Sequence, residues 1–371
     1  MIRERWIAAA ATLTIALPAS VSAQTADVLT TARRQAVERV SALEMETHLS
    51  YLASDMLEGR DTPSEGLQDA ADYIASQFAR AGLEPAADGS WFQTAVLYRY
   101  MDARGRQRMV QEEQLPEGVE AEPVRMHNVA GLLRGSDPRL EDTYILVSAH
   151  YDHVGIGRAD ASGDSIYNGA NDNGSGTVTV VEMALAMGSA PPPRRSVLFI
   201  TWFGEEKGLL GSRWYAEHPL VPLERTVANL NLEQVGRSDG DGGDQTGRMA
   251  LTGHTFSEVP GYFQRAAEAV GVEVYHHEQY SAPFFSRSDN VALASKGIPA
   301  HTATVAFQYE DYHRPGDHWQ KIDYANMALV ARALVLGICL IADDPDPPCW
   351  NEEIPETRRY VEAWRRLHGG G

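Results

Sequence analysis

Four short apolar runs that each lead into a histidine or a carboxylate constrain this chain more than any other feature. They are Tyr144–Ala149 ahead of His150, Ser196–Thr201 ahead of Glu205 and Glu206, Val227–Leu232 ahead of Glu233, and Pro299–Ala306 ahead of His313. Runs of four to eight apolar residues between turn signals suit buried strands. Helical patterns lie between and after them, at Thr177–Met187, Leu209–Glu217 and Ala325–Ala342. Strands alternating with helices predict a three-layer αβα architecture, its central sheet mixed, mostly parallel and covered by helices on both faces. Ligands of such sheets sit beyond the carboxyl ends of the strands. The fold therefore sends His150, Glu205, Glu206, Glu233 and His313 to one rim, and Asp172 joins them from the glycine-rich loop 168–176.

Taken singly, each of these residues has an ordinary explanation. A histidine after a strand is usually a loop residue, and adjacent glutamates usually start a solvated helix. The 168–176 loop has no Walker lysine, no dinucleotide spacing and no nucleophile elbow. Taken jointly, two imidazoles and three carboxylates suit Zn²⁺, and one carboxylate can bridge two ions. Two neighbouring ions can share a water, ease its deprotonation and polarise a carbonyl. A carboxylate that is not a ligand must then accept the proton. The Glu205-Glu206 pair offers one ligand and one base, and Asp152 is spaced to hold the second ring nitrogen of His150. His153, His254, His276, His277 and His301 are read as structural or surface residues.

Residues 1–23 have a basic start, an apolar stretch from Ile7 to Leu17 and a small-residue site at Val21-Ser22-Ala23, the pattern of a signal peptide. Export to the periplasm or the medium is expected. The remaining 24–371 read as a single catalytic domain. Its N-terminal helices span 24–83, an irregular excursion with short hairpins spans 84–127, and no separate domain is inserted. No later stretch is read as a membrane span, so a soluble mature protein is expected. The net charge of −19 disfavours nucleic acid and anionic membranes as partners. Cys339 and Cys349 either form one bridge or stay as two thiols.

The segments Ser148–His153, Asn168–Gly176, Phe203–Glu206 and Asp311–His313 resemble the blocks of the di-zinc aminopeptidase family. That family includes glutamate carboxypeptidases, with glutaminyl cyclases and transferrin-receptor-like ectodomains as relatives. Leu52–Arg60, Phe285–Asp289 and Lys296–Pro299 resemble further blocks of its bacterial members, and the order is kept over nearly the whole chain. The resemblance implies a phosphorylase/hydrolase-like fold and two Zn²⁺ ions. His150 and Glu233 would hold one, Glu206 and His313 the other, with Asp172 bridging them. Glu205 would be the base activating a metal-bridging water, and Asp152 would orient His150. It also implies a cis peptide at Asp172-Asn173. The chain departs from the family at Glu233, where Asp is usual, and at Phe285, where some relatives carry a Tyr that binds the oxyanion; Tyr280 is an alternative donor. The function implied is removal of N-terminal residues from peptide substrates. A carboxypeptidase or a glutaminyl cyclase of the same fold is the alternative, and a non-catalytic binding ectodomain a remoter one.

Overall fold

The computed structural model describes residues 28–369, so the signal-peptide reading of 1–23 lies outside it. The strands are β1 (Glu84–Pro85), β2 (Phe92–Met101), β3 (Gln107–Val110), β4 (Glu122–Leu133) and β5 (Tyr144–His150). A short hairpin, β6 (Gly155–Ile156) and β7 (Ile166–Tyr167), precedes β8 (Ser196–Trp202), β9 (Thr226–Leu232), β10 (Arg248–Leu251), β11 (Glu273–Tyr275) and β12 (Ala300–Thr304). All but the β6–β7 hairpin join one sheet, in the order β11-β10-β12-β9-β5-β8-β4-β2-β3, with β1 added beside β4. The four middle strands, β12, β9, β5 and β8, run parallel. Beyond them the pairings β10–β12, β4–β8 and β2–β4 are antiparallel.

Burial on both faces explains why the middle strands read as unbroken apolar runs. Successive side chains of a strand point to opposite sides. Ile145, Val147, Ala149, Val197 and Phe199 accordingly join the larger core, and Leu146, Leu198, Ile200 and Trp202 the smaller one. The larger core is filled by helix Gly176–Gly188, buried along its length from Gly176 to Met187. It packs beneath helices Thr31–Arg39, Ala42–Leu52 and Tyr324–Asp343. That last helix has the length and composition of a membrane span, contrary to the sequence reading, but most of it is buried within the protein.

Residues 84–127 are more regular than expected. They supply two long strands of the main sheet, with β2 paired to β4 from Phe92↔Val129 to Arg99↔Glu122. The segment looked irregular because an outer antiparallel hairpin buries one face only. Gln93, Ala95 and Leu97 point inward, while Thr94 and Val96 between them are exposed. Cys339 and Cys349 are free thiols, the first buried and the second exposed.

From β5 the chain crosses through helix Gly176–Gly188 to β8 on one side. It then returns through helix Leu210–Glu217 to β9 on the other. Such a reversal opens a crevice at the carboxyl end of the strand between them. That strand is β5, and its last residue is His150.

Candidate metal centre

The structure brings the rim residues together there. His150 ends β5 and is fully buried; Glu205 and Glu206 lie in the turn after β8, Glu233 directly follows β9, and His313 lies beyond β12. Asp172 comes from the loop ahead of helix Gly176–Gly188, and the peptide joining it to Asn173 is cis. Its two carboxylate oxygens face different histidines. Oδ1 lies 3.6 Å from His150 Nε2, and Oδ2 lies 3.0 Å from His313 Nε2. Glu233 Oε1 approaches His150 Nε2 to 3.0 Å, and Glu206 Oε1 approaches His313 Nε2 to 3.2 Å. The longer side chain of Glu233 thus reaches its partner although Asp is usual in the family.

Two groups result, both with geometry able to hold a metal ion and both containing Asp172. One is His150, Asp172 and Glu233; the other is His153, Asp172, Glu206 and His313. Ligands about 2.0–2.1 Å from a tetrahedral Zn²⁺ stand roughly 3.3 Å apart, so these separations fit a shared ion. Glu206 Oε1 and His313 Nε2 are buried atoms without a hydrogen-bond partner. Donors packed together without bonding one another are what a metal site requires and what a plain hydrogen-bond network avoids. Glu205 belongs to neither group, with its Oε2 4.0 Å from His150 Nε2.

A second layer fixes this arrangement. The Asp152 carboxylate accepts the backbone N–H of Glu205 (3.0 Å) and of Glu206 (3.3 Å), while its own carbonyl oxygen lies 3.2 Å from His150 Nδ1. It thereby aligns the strand-end histidine and the glutamate turn together. Buried Asp317 accepts the N–H groups of Asn171 and Asp172, each at 3.0 Å, and the Tyr309 hydroxyl. Asn173 ties the same loop to the end of β9 by donating to the Leu232 carbonyl and accepting from Gln234 N–H. Arg60, 1% exposed, donates to the carbonyls of Leu52, Tyr151, Asn168 and Gly169. Ser288 donates to Glu233 Oε2. Arg60, Gln234 and His313 all have left-handed backbone, near φ +50°, in a chain where few non-glycine residues do.

The electrostatics suit a cation. Burial alone would lower the His150 pKa, but the surrounding carboxylates, Glu233 foremost, outweigh it and hold the pKa well above its ordinary value. Burial likewise opposes charge on His313, yet Asp172 and Glu206 bring it up to about 10. In the protein alone these imidazoles tend to hold protons where a metal would supply positive charge. The Glu205 carboxyl is raised as well: burial, reinforced by Glu233, Asp289 and Glu206 and opposed by His150, brings it well above the usual range.

Three sequence readings change. His153 was set aside as structural, yet it lies in the second group with Nδ1 2.9 Å from Glu206 Oε1. Its signal was its position, three residues past His150 in the same strand-end segment. Phe285 is 2% exposed and packs on Phe256, His301 and Tyr360, and Tyr280 stacks on His277. Neither lines the pocket over the site, about 360 Å³, whose phenols are Tyr309 and Tyr312. Asp317 and Arg60 were missed as supports, since holding a backbone in place leaves no ligand-like spacing in sequence.

The profile described as Peptidase family M28 matches residues 128–337. The chain belongs to that family. Among its curated relatives, a probable zinc metalloprotease of Leptosphaeria maculans is 26% identical over 76% of this chain and 61% of its own length. The aminopeptidase YwaD of Bacillus subtilis is 38% identical over 30% of this chain, and an aminopeptidase of Pseudomonas aeruginosa 33% identical over 43%. The chain spans 22% and 29% of those two, so it covers under two thirds of each relative. The M28 fold is shared with the aminopeptidase of Aneurinibacillus sp. strain AM-1, at TM-score 0.61 and 17% identity over 86% of this chain and 100% of that one. It is also shared with the glutaminyl cyclase of Porphyromonas gingivalis, at TM-score 0.56 and 15% identity over 81% and 98%.

Proposed function

We propose that this chain is a di-zinc aminopeptidase that removes N-terminal residues from peptides outside the cytoplasm. The observation that carries the reading is Asp172, whose two oxygens turn to histidines of separate groups. One ion would be held by His150, Asp172 and Glu233, the other by Asp172, Glu206 and His313. The zinc named for its relatives fits a donor set of imidazoles and carboxylates. Bound zinc would lower the pKa of a water between the groups and polarise the scissile carbonyl.

The rest belongs to the chain's own side chains. Glu205 accepts the proton of the attacking water and returns it to the leaving amine; it belongs to neither metal group and lies beside them, its Oε2 4.0 Å from His150 Nε2. Asp152 keeps that base in register with His150. The Tyr312 ring stacks on His313 with centroids 4.0 Å apart, and its hydroxyl is a candidate donor to the oxyanion in place of the family's tyrosine. Phe284 and Phe307, rings 5.3 Å apart, form an apolar wall for the substrate side chain.

The test is hydrolysis of aminoacyl-p-nitroanilides before and after chelation and zinc repletion. Turnover that vanishes with chelator, returns with zinc and favours leucyl and phenylalanyl substrates supports the reading. Arg287 and Arg314 also line the pocket and would suit a substrate carboxylate, which favours a carboxypeptidase as the second reading. Cleavage of N-blocked peptides from their free C-terminus, with no turnover of the nitroanilides, would replace the first reading by the second.

A further inference from the structure

His153 is the residue at the centre that the two-ion scheme leaves unused. It is fully buried, and neither ring nitrogen has a hydrogen-bond partner. Its Nδ1 nevertheless stands 2.9 Å from Glu206 Oε1, an atom that also lacks a hydrogen bond and faces His313 Nε2 at 3.2 Å. Buried imidazoles are normally satisfied, because an unpaired ring nitrogen forfeits its hydration without compensation. A shared cation answers for all three atoms at once.

The ring is placed firmly enough to act as a ligand. Its backbone N–H donates to the Arg60 carbonyl at 3.2 Å. On its other side it lies so close to Gly169 that a Cβ there would come within 2.4 Å of His153 Cγ. Gly169 has φ +57° and begins the turn that carries Asp172. The loop that brings the bridging carboxylate is thus cut back where the His153 ring passes.

Building on the two-ion reading, we infer that His153 is a fourth protein ligand of the ion held by Asp172, Glu206 and His313. With four protein ligands that ion would meet the water between the groups only by expanding to five-coordinate, whereas three protein ligands leave a position free for water or substrate. The two ions are therefore unequal. The His153 ion is tightly held and anchors Asp172, and the ion at His150, Asp172 and Glu233 is exchangeable and open to substrate.

The experiment loads metal-free protein with one equivalent of zinc and counts imidazoles around it by X-ray absorption, with zinc titration by calorimetry alongside. Two imidazoles per zinc are expected in the one-zinc protein, from His153 and His313, and three over two zincs at saturation. In H153Q the one-zinc count falls to one, and the tighter binding step weakens by about 100-fold or more. Circular dichroism and melting of the metal-free variant verify folding, and the wild-type count stands without the variant. A single imidazole in the one-zinc wild type would overturn the inference, whichever group the ion chose, and leave the two-ion reading intact. Failure to bind zinc at all would overturn both.

Discussion

Two clusters of histidine and carboxylate adjoin helix Gly176–Gly188, and both have the spacing to hold a metal ion. One is the rim centre at its N-terminal end. The other is Glu44, His48 and Glu182, beneath the N-terminal helices. They differ in counter-charge. Arg39 lies 2.7 Å from Glu44 and 3.6 Å from Glu182, and Arg80 lies 3.1 Å from Glu44. Glu182 also accepts Ser41 N–H at 2.7 Å, and His48 Nδ1 meets the Tyr73 hydroxyl. At the rim, among the described residues, the ion pairs of Asp172, Glu205, Glu206 and Glu233 are all to histidine. Acid clusters that carry their own arginines are complete as structure; an acid cluster paired only with titratable imidazoles, at the floor of a pocket, calls for an external cation.

The comparison can be broken at several points. The largest effect is expected from Glu205→Gln, which keeps both metal groups and should cut kcat/KM by roughly 10³-fold at unchanged zinc content. Undiminished turnover would remove Glu205 from the mechanism. Chelation should follow in size: zinc present at about a thousandfold over its Kd contributes about 4 kcal/mol to stability, or on the order of 10 °C in Tm. Scanning calorimetry with and without chelator measures this, and the Glu44→Gln variant should show the same shift. A shift that disappears in Glu44→Gln would assign the metal to the wrong cluster.

Asp317→Asn keeps the shape but replaces one accepting oxygen beneath Asn171 and Asp172, so zinc affinity should drop by about 10- to 100-fold. The smallest catalytic effect, none, is expected of Glu182→Gln, which should act on stability alone. Burial, with Glu44 nearby, brings the Glu182 carboxyl up to about 7 from an unfolded value near 4.5. A folded pKa raised in this way means stability is lost as pH climbs from about 4.5 through 7. The glutamine stays neutral, so at pH 8 the variant should exceed wild type by about 2 kcal/mol in urea unfolding, and match it near pH 4. His48 works in the opposite sense: burial, then Arg80, lower it to about 4, so its contribution is lost as pH falls from 6.5 through 4. A gain at pH 8 no larger than that at pH 4 would show that the Glu182 pKa is not raised by folding.

The same contrast explains what could be read from the sequence. The middle strands were legible because burial on both faces leaves unbroken apolar runs, and their ends were legible because histidines and carboxylates recur at them. The antiparallel β2–β4 pair was not, since one-sided burial on long strands reads as a mixed stretch. The site's first layer was legible by residue type, whereas Asp317 and Arg60 act through backbone groups that any sequence supplies. His153 was visible but ambiguous, since no single histidine tells ligand from filler until its neighbours are seen to lack hydrogen bonds.

Arg60 has a consequence for where this protein can be cut. The family match begins at residue 128, yet Arg60 satisfies the carbonyls of Asn168 and Gly169 at the root of the Asp172 loop. A protease that removed the chain through residue 60 would spare every proposed zinc ligand and still unmoor the loop that joins the two groups. The family match and the segment that holds the Asp172 loop thus have different borders, and loss of residues through 60 should abolish the proposed activity with every proposed ligand still present.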